Sequence, residues 1–316
     1  MKRSVIVFCI VLCSLFLISC GGRIQAGDTP SDTLAALNLV RTGTQGVELS
    51  VVPNYPPPLL YDQNELIALV ELKNKGNYDL EAQDCFIQVT GFDPNIIKGG
   101  FGTVRSCAEN VQVFEGKNVY NVQGGFNQLE FSSSNVVLPD NVYEYSPQLN
   151  FLTCYNYHTT ASPMVCVDPI LYQVTPEQKA CQSTDVSAGG GQGGPVGVSH
   201  VGVDMVGSKA IFEINIQNYG SGRVLSPAAD IRNCAQAGID YRDLDKVEYY
   251  VELSGGSLSD CKPNDGIVRL NQGSGKIVCT FDIPSGTAFE TPLSVNLDYS
   301  YVQNFLKEVK IIKTPQ

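Results

Sequence analysis

The most informative part of the chain is Val70-Glu71-Leu72-Lys73-Asn74-Lys75-Gly76, because a diverged copy follows it. Ile214-Asn215-Ile216-Gln217-Asn218-Tyr219-Gly220 matches it at a constant offset of 144. In both stretches apolar residues alternate with polar ones and lead into an Asn-x-Gly turn, the pattern of a half-buried strand. Val89-Thr90-Gly91 is echoed by Leu253-Ser254-Gly255 at an offset of 164, so the second copy is longer between the echoes. The ordered echoes predict two copies of one β-domain, with chance similarity between amphipathic strands as the alternative.

The rest of the chain also alternates in the manner of strands. Residues 47–51, 247–253, 277–283 and 293–301 all place apolar side chains at every second position. Many short strands separated by turn residues predict an all-β fold of two tandem immunoglobulin-like antiparallel β-sandwiches. The extra residues of the second copy predict a short helical insert, capped by Ser226, with Pro227 in its first turn and Gly238 at its end.

These patterns predict five segments along the chain. They are a signal peptide at 1–19, a lipid-anchored spacer at 20–45, a first sandwich at 46–182, a glycine-rich hinge at 183–195 and a second sandwich at 196–316. A phosphate-binding loop is rejected for the glycine-rich segment, because no Gly-Lys-Ser/Thr occurs and strand-like sequence follows it.

The first residues carry the order of a secretory signal peptide. Lys2 and Arg3 precede an apolar run that ends at Leu17-Ile18-Ser19-Cys20, and the run is short for a membrane span. Its end resembles the lipobox of prokaryotic lipoproteins, so Cys20 is the predicted lipidation site. We expect an extracytoplasmic protein, lipid-anchored at the cell membrane or in the cell envelope. The sequence leaves open whether the leader is cleaved or retained as an anchor.

The charge of the chain restricts its partners. Without Lys2 and Arg3, 19 basic side chains oppose 32 acidic ones, a net charge of about −13. Such acidity argues against nucleic acid and against anionic lipid head groups. We therefore expect no nucleic-acid partner, membrane contact through the N-terminal anchor, and an unknown surface protein or polymer as a further partner.

Eight cysteines remain once the leader and Cys20 are set aside, an even number that predicts disulfides in an oxidising compartment. Their spacing favours Cys261–Cys279 across a hairpin, Cys166–Cys181 around a short loop and Cys85–Cys107. Elimination then leaves Cys154 with Cys234. The alternative is that several are small buried apolar residues. A metal site is not expected, because no CxxC or CxH spacing occurs, and no cofactor is predicted.

The sequence gives little support for any catalytic site. A serine hydrolase would need His158 or His200, and no Gly-x-Ser-x-Gly elbow is present. A carboxylate pair for glycoside hydrolysis stays open, because acidic residues are abundant. An acidic set could bind calcium, but the EF-hand spacing is absent and a solvated turn is the plainer interpretation; it consists of Asp240, Asp243, Asp245 and Glu248. A tyrosine set could form a face for sugar or peptide, although tyrosine in strands is usually a packing residue; it consists of Tyr143, Tyr145, Tyr155 and Tyr157.

The alternating strand that ends in Asn-x-Gly resembles the CARDB-type immunoglobulin-like adhesion modules of archaeal and bacterial surface proteins, over about half of each domain. More particular motifs resemble an uncharacterised group of surface proteins from small-genome archaea. These motifs are Arg41-Thr42-Gly43-Thr44-Gln45-Gly46, Cys154-Tyr155-Asn156-Tyr157, Val165-Cys166-Val167-Asp168-Pro169, Cys181 and Gly190-Gly191-Gln192-Gly193-Gly194-Pro195-Val196. The chain departs from that group by adding Cys85 and Cys107. The resemblance implies an exported tandem-sandwich protein and brings no catalytic residues.

The function expected from these features is a non-enzymatic, membrane-anchored surface protein that acts as an adhesion, interaction or structural envelope module. The alternative is an envelope lipoprotein that binds a solute or polymer, for which a cleft lined by aromatic and polar groups would be the sign. A secreted hydrolase ranks last. The ligand or partner and the oligomeric state are not encoded in any recognisable motif.

Overall fold

The computed structural model describes residues 40–172, 178–189, 191–233 and 239–315. Ala36–Gln316 form one compact unit, and this unit is all-β, as predicted. Within the described ranges no helix is long and apolar enough to cross a membrane. The signal peptide, the lipidation site Cys20 and most of the spacer lie outside the described residues.

Val40 and Arg41 are helical, and the other regular elements of the described residues are strands and one short 3-10 helix at Gly100–Gly102. The strands of the first half are β1 (Val47–Val51), β2 (Leu59–Tyr61), β3 (Leu66–Asn74), β4 (Cys85–Thr90), β5 (Ile97–Lys98), β6 (Arg105–Ser106), β7 (Phe126–Ser133), β8 (Asn135–Val136), β9 (Glu144–Tyr145), β10 (Gln148–Ala161) and β11 (Met164–Val167). Those that follow are β12 (Val186–Ser187), β13 (Val196–Val206), β14 (Lys209–Asn218), β15 (Arg223–Leu225), β16 (Lys246–Leu253), β17 (Ser257–Lys262), β18 (Ile267–Arg269), β19 (Ser274–Asp282), β20 (Phe289–Glu308) and β21 (Lys310–Ile312).

One eight-stranded sheet runs through both halves of the chain, in the order β18-β16-β20-β10-β4-β6, with β11 and β15 also paired to β20. Its centre is the antiparallel pair β10–β20, which is in register from Gln148 opposite Glu308 to Ala161 opposite Val295. Side chains at alternate positions of both strands are buried, because a strand turns successive side chains to opposite faces. The two halves are therefore joined by main-chain hydrogen bonds along fourteen residue pairs.

The halves are related by a local twofold axis. Asn156 lies opposite Ser300, the residue 144 positions later, and the Ser300 hydroxyl donates to the Asn156 side chain over 2.8 Å. On either side, Tyr155 lies opposite Tyr301 and Tyr157 lies opposite Tyr299. The offset of 144 exchanges the two pairs, because it relates Tyr155 to Tyr299 and Tyr157 to Tyr301. The flanking strands follow the same symmetric order. Strands β6, β4 and β10 on one side of the axis correspond to β18, β16 and β20 on the other.

A separate sheet packs on each half. The first half carries β1-β3-β7 and the second carries β12-β13-β14-β19-β17, in which β13-β14-β19 corresponds to β1-β3-β7. The repeated stretches at 70–76 and 214–220 lie at the ends of β3 and β14. Small sheets, β2-β21-β9 and β5-β8, close the first half. One continuous apolar core extends through both halves, including Leu72, Phe131, Ile214 and Phe281.

Two expectations about the connecting segments differ from the structure. The described part of the predicted helical insert, residues 226–233, forms successive turns, while Gly238 lies outside the described residues. Each turn is closed locally, since Ala228 N–H donates to the Ser226 hydroxyl and the N–H groups of Arg232 and Asn233 donate to the Asp230 carboxylate, the hydrogen bonding of Ser and Asx turns.

In the segment 183–195, predicted as a flexible hinge, residues 192–195 are buried, whereas 183–189 are exposed or half-buried. The Gln192 side chain is buried and bonds to the backbone of Ala188 and Val198. Gly193 accepts a hydrogen bond from Asn77 and donates one to Gly43. The glycines are needed for close approach, since a Cβ on Gly194 would lie 2.2 Å from the Thr159 hydroxyl. The segment therefore binds both halves together.

Three of the four predicted disulfides are formed, Cys85–Cys107, Cys166–Cys181 and Cys261–Cys279. Cys154 is also disulfide-bonded, and its predicted partner Cys234 lies outside the described residues.

Candidate ligand-binding cleft

The repeated Asn-x-Gly turns hold the same hydrogen bonds in both halves. Asn74 accepts from the Tyr157 hydroxyl over 3.1 Å and from Gly76 N–H, and it donates to the carbonyl of Tyr78. In the second half, Asn218 accepts from the Tyr301 hydroxyl over 3.1 Å and from Gly220 N–H, and it donates to the carbonyl of Gly222. Each asparagine thus ties the end of a strand to a tyrosine of the central pair.

Four tyrosines form a buried row across the twofold axis. The ring centroids of Tyr155 and Tyr157 are 5.6 Å apart, those of Tyr155 and Tyr301 also 5.6 Å, and those of Tyr157 and Tyr299 6.2 Å. These distances are typical of favourable aromatic contacts. Burial raises the pKa of all four hydroxyls above the usual range, so they stay neutral hydrogen-bonding groups.

The equivalent hydroxyls of Tyr155 and Tyr299 have different surroundings. The Tyr299 hydroxyl lies 2.8 Å from the Thr159 hydroxyl and accepts from Val196 N–H over 3.3 Å. The Tyr155 hydroxyl is buried and has no hydrogen-bond partner of acceptable geometry. Burial is the largest cause of its raised pKa and neighbouring tyrosines add to it, while a hydrogen-bonding contact with the Val47 backbone, outside the usual geometry, lowers the pKa. A buried hydroxyl without a partner costs about 1–3 kcal/mol.

Tyr155 lines a cleft of about 370 Å³ at the junction of the two halves. One wall is the start of β1. The other wall is formed by the turn at 219–221 and by residues 303–305 of β20. The cleft is lined by Thr44, Gln45, Gly46, Val47, Glu48, Leu49, Tyr155, Pro195, Tyr219, Gly220, Ser221, Tyr301, Gln303, Asn304 and Phe305. It lies at the lower end of the usual size range of ligand pockets.

The chemistry of the cleft is aromatic and neutral-polar. The charged residue in its lining is Glu48, which forms an ion pair of 2.9 Å with Lys75. Gln303 donates to the carbonyl of Val47 and so fixes one side chain of the wall. Tyr219 is half-buried and Phe305 is 37% exposed, so both offer ring surface at the mouth.

A second polar arrangement lies on the outer face of the large sheet. His158 Nδ1 is 2.6 Å from the Asp298 carboxylate and its Nε2 is 3.0 Å from the Thr160 hydroxyl. Carboxylate, imidazole and hydroxyl stand in the order used by hydrolases. Thr160, however, donates its proton to Asn296 over 2.8 Å, so the hydroxyl is not directed to the imidazole. The hydrogen bond to Asp298 is the main cause of the raised pKa of His158.

The remaining predicted site residues do not converge. Tyr143 is exposed, while Tyr145 bonds to the backbone of Asp93. His200 lies 3.5 Å from Asp185 at an exposed position. In the acidic set, Asp240 is paired with Arg242 and Asp245 with Arg223. No cluster able to hold a metal ion occurs in the described part of the chain.

Sequence reasoning missed the cleft, although one signal for it was readable. Tyr155 and Tyr157 stand 144 positions before Tyr299 and Tyr301, which is the offset of the repeated strand. Applied to all tyrosines, that offset would have paired them as structural equivalents. It would then have separated the buried Tyr155 and Tyr157 from the exposed Tyr143.

The chain matches no protein-family model and no curated protein. Among solved structures it is similar to the secreted serine protease VesC from Vibrio cholerae, at 12% identity over 87% of this chain and 52% of that chain, with a TM-score of 0.19. The chain thus spans about half the length of that protease. A TM-score this low carries no argument about fold or activity.

Proposed function

We propose that this protein is a non-enzymatic surface protein, exported and held at the membrane by lipid on Cys20, with its all-β body acting as an interaction module. In this proposal the two halves are diverged immunoglobulin-like sandwiches of the CARDB type. The disulfides are the observation that carries it, because such bonds persist in oxidising compartments. Three of them brace separate parts of one body, which suits a domain exposed outside the cell.

The outer face of the large sheet is the interaction surface in this proposal. Glu248 lies opposite Asp298 on neighbouring strands, and Tyr250 lies opposite Asn296. Tyr250 is 57% exposed, and Glu248 and Glu252 on either side of it are also exposed. A partner with cationic groups would be attracted to it, since complementary charge steers association.

A hydrolytic role has less support. The hydroxyl of Thr160 is committed to Asn296, and the serine-hydrolase elbow is missing from the sequence. Solute or polymer binding is the second candidate function, favoured by the aromatic cleft at Tyr155.

The anchoring proposal is tested with Cys20→Ser, using Cys13→Ser in the leader as the matched control. Each protein is expressed with its leader in a prokaryotic host that processes lipoproteins. We expect the wild type and Cys13→Ser in the membrane fraction, with a lipid-sized mass increase on Cys20, and Cys20→Ser in the soluble fraction. Membrane retention of Cys20→Ser, or free thiols at the paired cysteines, would overturn the proposal.

A further inference from the structure

We propose that the groove between strand β4 and the turn at 230–233 binds a monocarboxylate with an apolar body, as a free acid or as the C-terminal residue of a peptide, and that the Arg232 guanidinium holds the carboxylate. Such a site goes beyond the proposed surface role. It depends neither on the lipid anchor nor on the cleft at Tyr155.

Both halves of the chain form this groove, which has a volume of about 740 Å³. One side is residues 88–90 of β4, the second is the connection at 91–104, and the third is Arg232 and Asn233 of the second half. Gln88 donates from Nε2 to the carbonyl of Gly102 over 2.8 Å, which ties the connection to the strand. The volume lies within the usual range of ligand pockets.

Arg232 is held at the groove by its own turn. The Asp230 carboxylate accepts hydrogen bonds from the N–H groups of Arg232 and Asn233, and Ile231 is buried. The guanidinium lies over the Phe86 ring, 5.8 Å from its centroid, which is within the range of cation–π contacts. A guanidinium stacked on a ring can still present its N–H groups to a carboxylate.

The charge of Arg232 has no ion-pair partner among the residues that the structure describes. The Asp230 carboxylate is bonded to the Asn233 side chain over 2.7 Å and acts on Arg232 from beyond ion-pair distance. Arg105 and Arg242, by contrast, each have a carboxylate partner. Arg232 is also the charged residue in the lining of the groove. Because the chain has a net charge of −11, an anion in the groove would be held by Arg232.

The size of this charge and the remaining lining define the ligand. Arginine binds a carboxylate through two parallel N–H···O bonds, and one guanidinium balances its single negative charge. A phosphate monoester carries about −1.5 to −2 at pH 7 and would stay partly unbalanced. Phe92, Pro94 and Val104 offer apolar surface, and the hydroxyl groups of Thr90 and Thr103 are neutral. The ligand that fits these groups is a carboxylate next to an apolar side chain.

The test is titration of the purified protein at pH 7, by calorimetry and by protein NMR, with probes up to about 10 mM, a range that includes weak complexes. N-acetyl-leucine carries a carboxylate and an apolar side chain, and N-acetyl-leucinamide is its neutral counterpart. We expect the acid to bind at least about 10-fold more tightly than the amide, the effect of losing a charged hydrogen bond. The NMR signal of the Arg232 Nε–H group should shift as the acid binds.

Further probes define the source of the carboxylate. 4-Methylpentanoate has the carbon skeleton of N-acetyl-leucine without the amide, so tighter binding of one or the other separates a free acid from a peptide end. Glucuronate and inorganic phosphate are anions without an apolar body, and both should bind more weakly than N-acetyl-leucine.

Three variants locate the site. Arg232→Gln removes the charge at an exposed position and should weaken binding of N-acetyl-leucine about 10-fold or more. Arg242→Gln is the matched control, because it removes an exposed arginine of the second half outside the groove and should leave affinity unchanged. Thr103→Trp places a bulky side chain at the exposed rim and should block the groove. The NMR spectrum of each variant checks that it is folded.

The outcomes separate the claims. Equal affinities for N-acetyl-leucine and its amide would overturn the role of the charge. Tighter binding of glucuronate or phosphate than of N-acetyl-leucine would overturn the ligand class. Binding that Arg232→Gln and Thr103→Trp leave unchanged would place the site elsewhere, and no binding of any probe would overturn the groove as a site. The lipid anchor is tested separately by Cys20→Ser.

Discussion

The two halves of the molecule share a framework and differ where it meets solvent. Asn74 and Asn218 make matching hydrogen bonds to Tyr157 and Tyr301. On the outer face, Cys154 opposite Val302 is the symmetry equivalent of Asp298 opposite His158. The first pair is covered by Leu225 and Ile231 in a small apolar cluster, with neighbouring side chains packed against it, whereas the second pair is open and polar.

The two halves therefore share their internal hydrogen bonding and differ in the segments that cover it. Leu225 and Ile231 of the second half, with Ala229, Ile239 and Leu244 beside them, pack over the outer face near Cys154. The first half has the shorter connection from Gly76 to Cys85 at the equivalent place. From it the Tyr78 ring lies 5.8 Å from the His158 ring, and 30% of the His158 side chain stays exposed. The equivalent surfaces of the two halves are therefore covered to different extents.

Removal of the disulfides should show the largest effect. Cys85 and Cys107 are both fully buried and close a loop with a sequence separation of 22, so Cys85→Ala/Cys107→Ala should lower the free energy of unfolding by about 3 kcal/mol. Cys261 and Cys279, with a separation of 18, brace the other half. Chemical denaturation of the two double variants is the measurement. A loss below 1 kcal/mol in both would contradict bracing of each half.

The asparagines test whether the shared framework is equally important in both halves. Asn74 is fully buried and also bonds to the carbonyl of Phe114, while Asn218 is partly exposed. Asn74→Ala should cost about 2–3 kcal/mol, because it leaves buried groups unpaired, and Asn218→Ala about 1–2 kcal/mol. Urea unfolding checks the order, and a larger loss for Asn218→Ala would refute the burial argument.

Tyr155 and Tyr299 are equivalent in position but differ in hydrogen bonding, so substitutions there should change stability by a smaller amount. Tyr299→Phe breaks the contacts to Thr159 and Val196 and should cost about 1 kcal/mol. Tyr155→Phe removes a buried hydroxyl without a partner and should leave stability unchanged or raise it slightly. Thermal unfolding of both variants without ligand is the measurement. Equal destabilisation would show that Tyr155 is hydrogen-bonded in solution.

The pair on the open face should have the smallest effect. Asp298 raises the pKa of His158 in the folded state, so the pair stabilises the fold fully below the unfolded pKa of about 6.5. That contribution is lost as the pH rises through the folded pKa. We expect Asp298→Asn to reduce stability by less than about 1 kcal/mol near pH 6 and to have little effect near pH 9. An equal loss at both pH values would exclude the charge pair as the cause.

Strand content could be predicted from sequence, but the joining of the halves could not. Residues 247–253 and 293–301 alternate so regularly that β16 and β20 follow directly. Alternation says which face of a strand is buried and does not choose its neighbour, so the pairing of β10 with β20 was not visible. Ser226 and Pro227 begin turns as well as helices, which explains the predicted helix. The cleft lies between segments of both halves. It depends on how these segments pack against each other, and the alternation within a single strand does not encode that packing.

The twofold pairing at Asn156 and Ser300 has a consequence for growth of the sheet. Antiparallel strands related by a twofold axis use each other's main-chain hydrogen-bonding groups along their shared edge. Once β10 and β20 are paired, that edge has no free groups with which another strand could pair. A head-to-tail joint would leave one end open at every step and build fibres. Because both partners belong to one polypeptide, the closed joint forms at any dilution. Crowded copies of the protein can therefore stand side by side without polymerising through their longest strands.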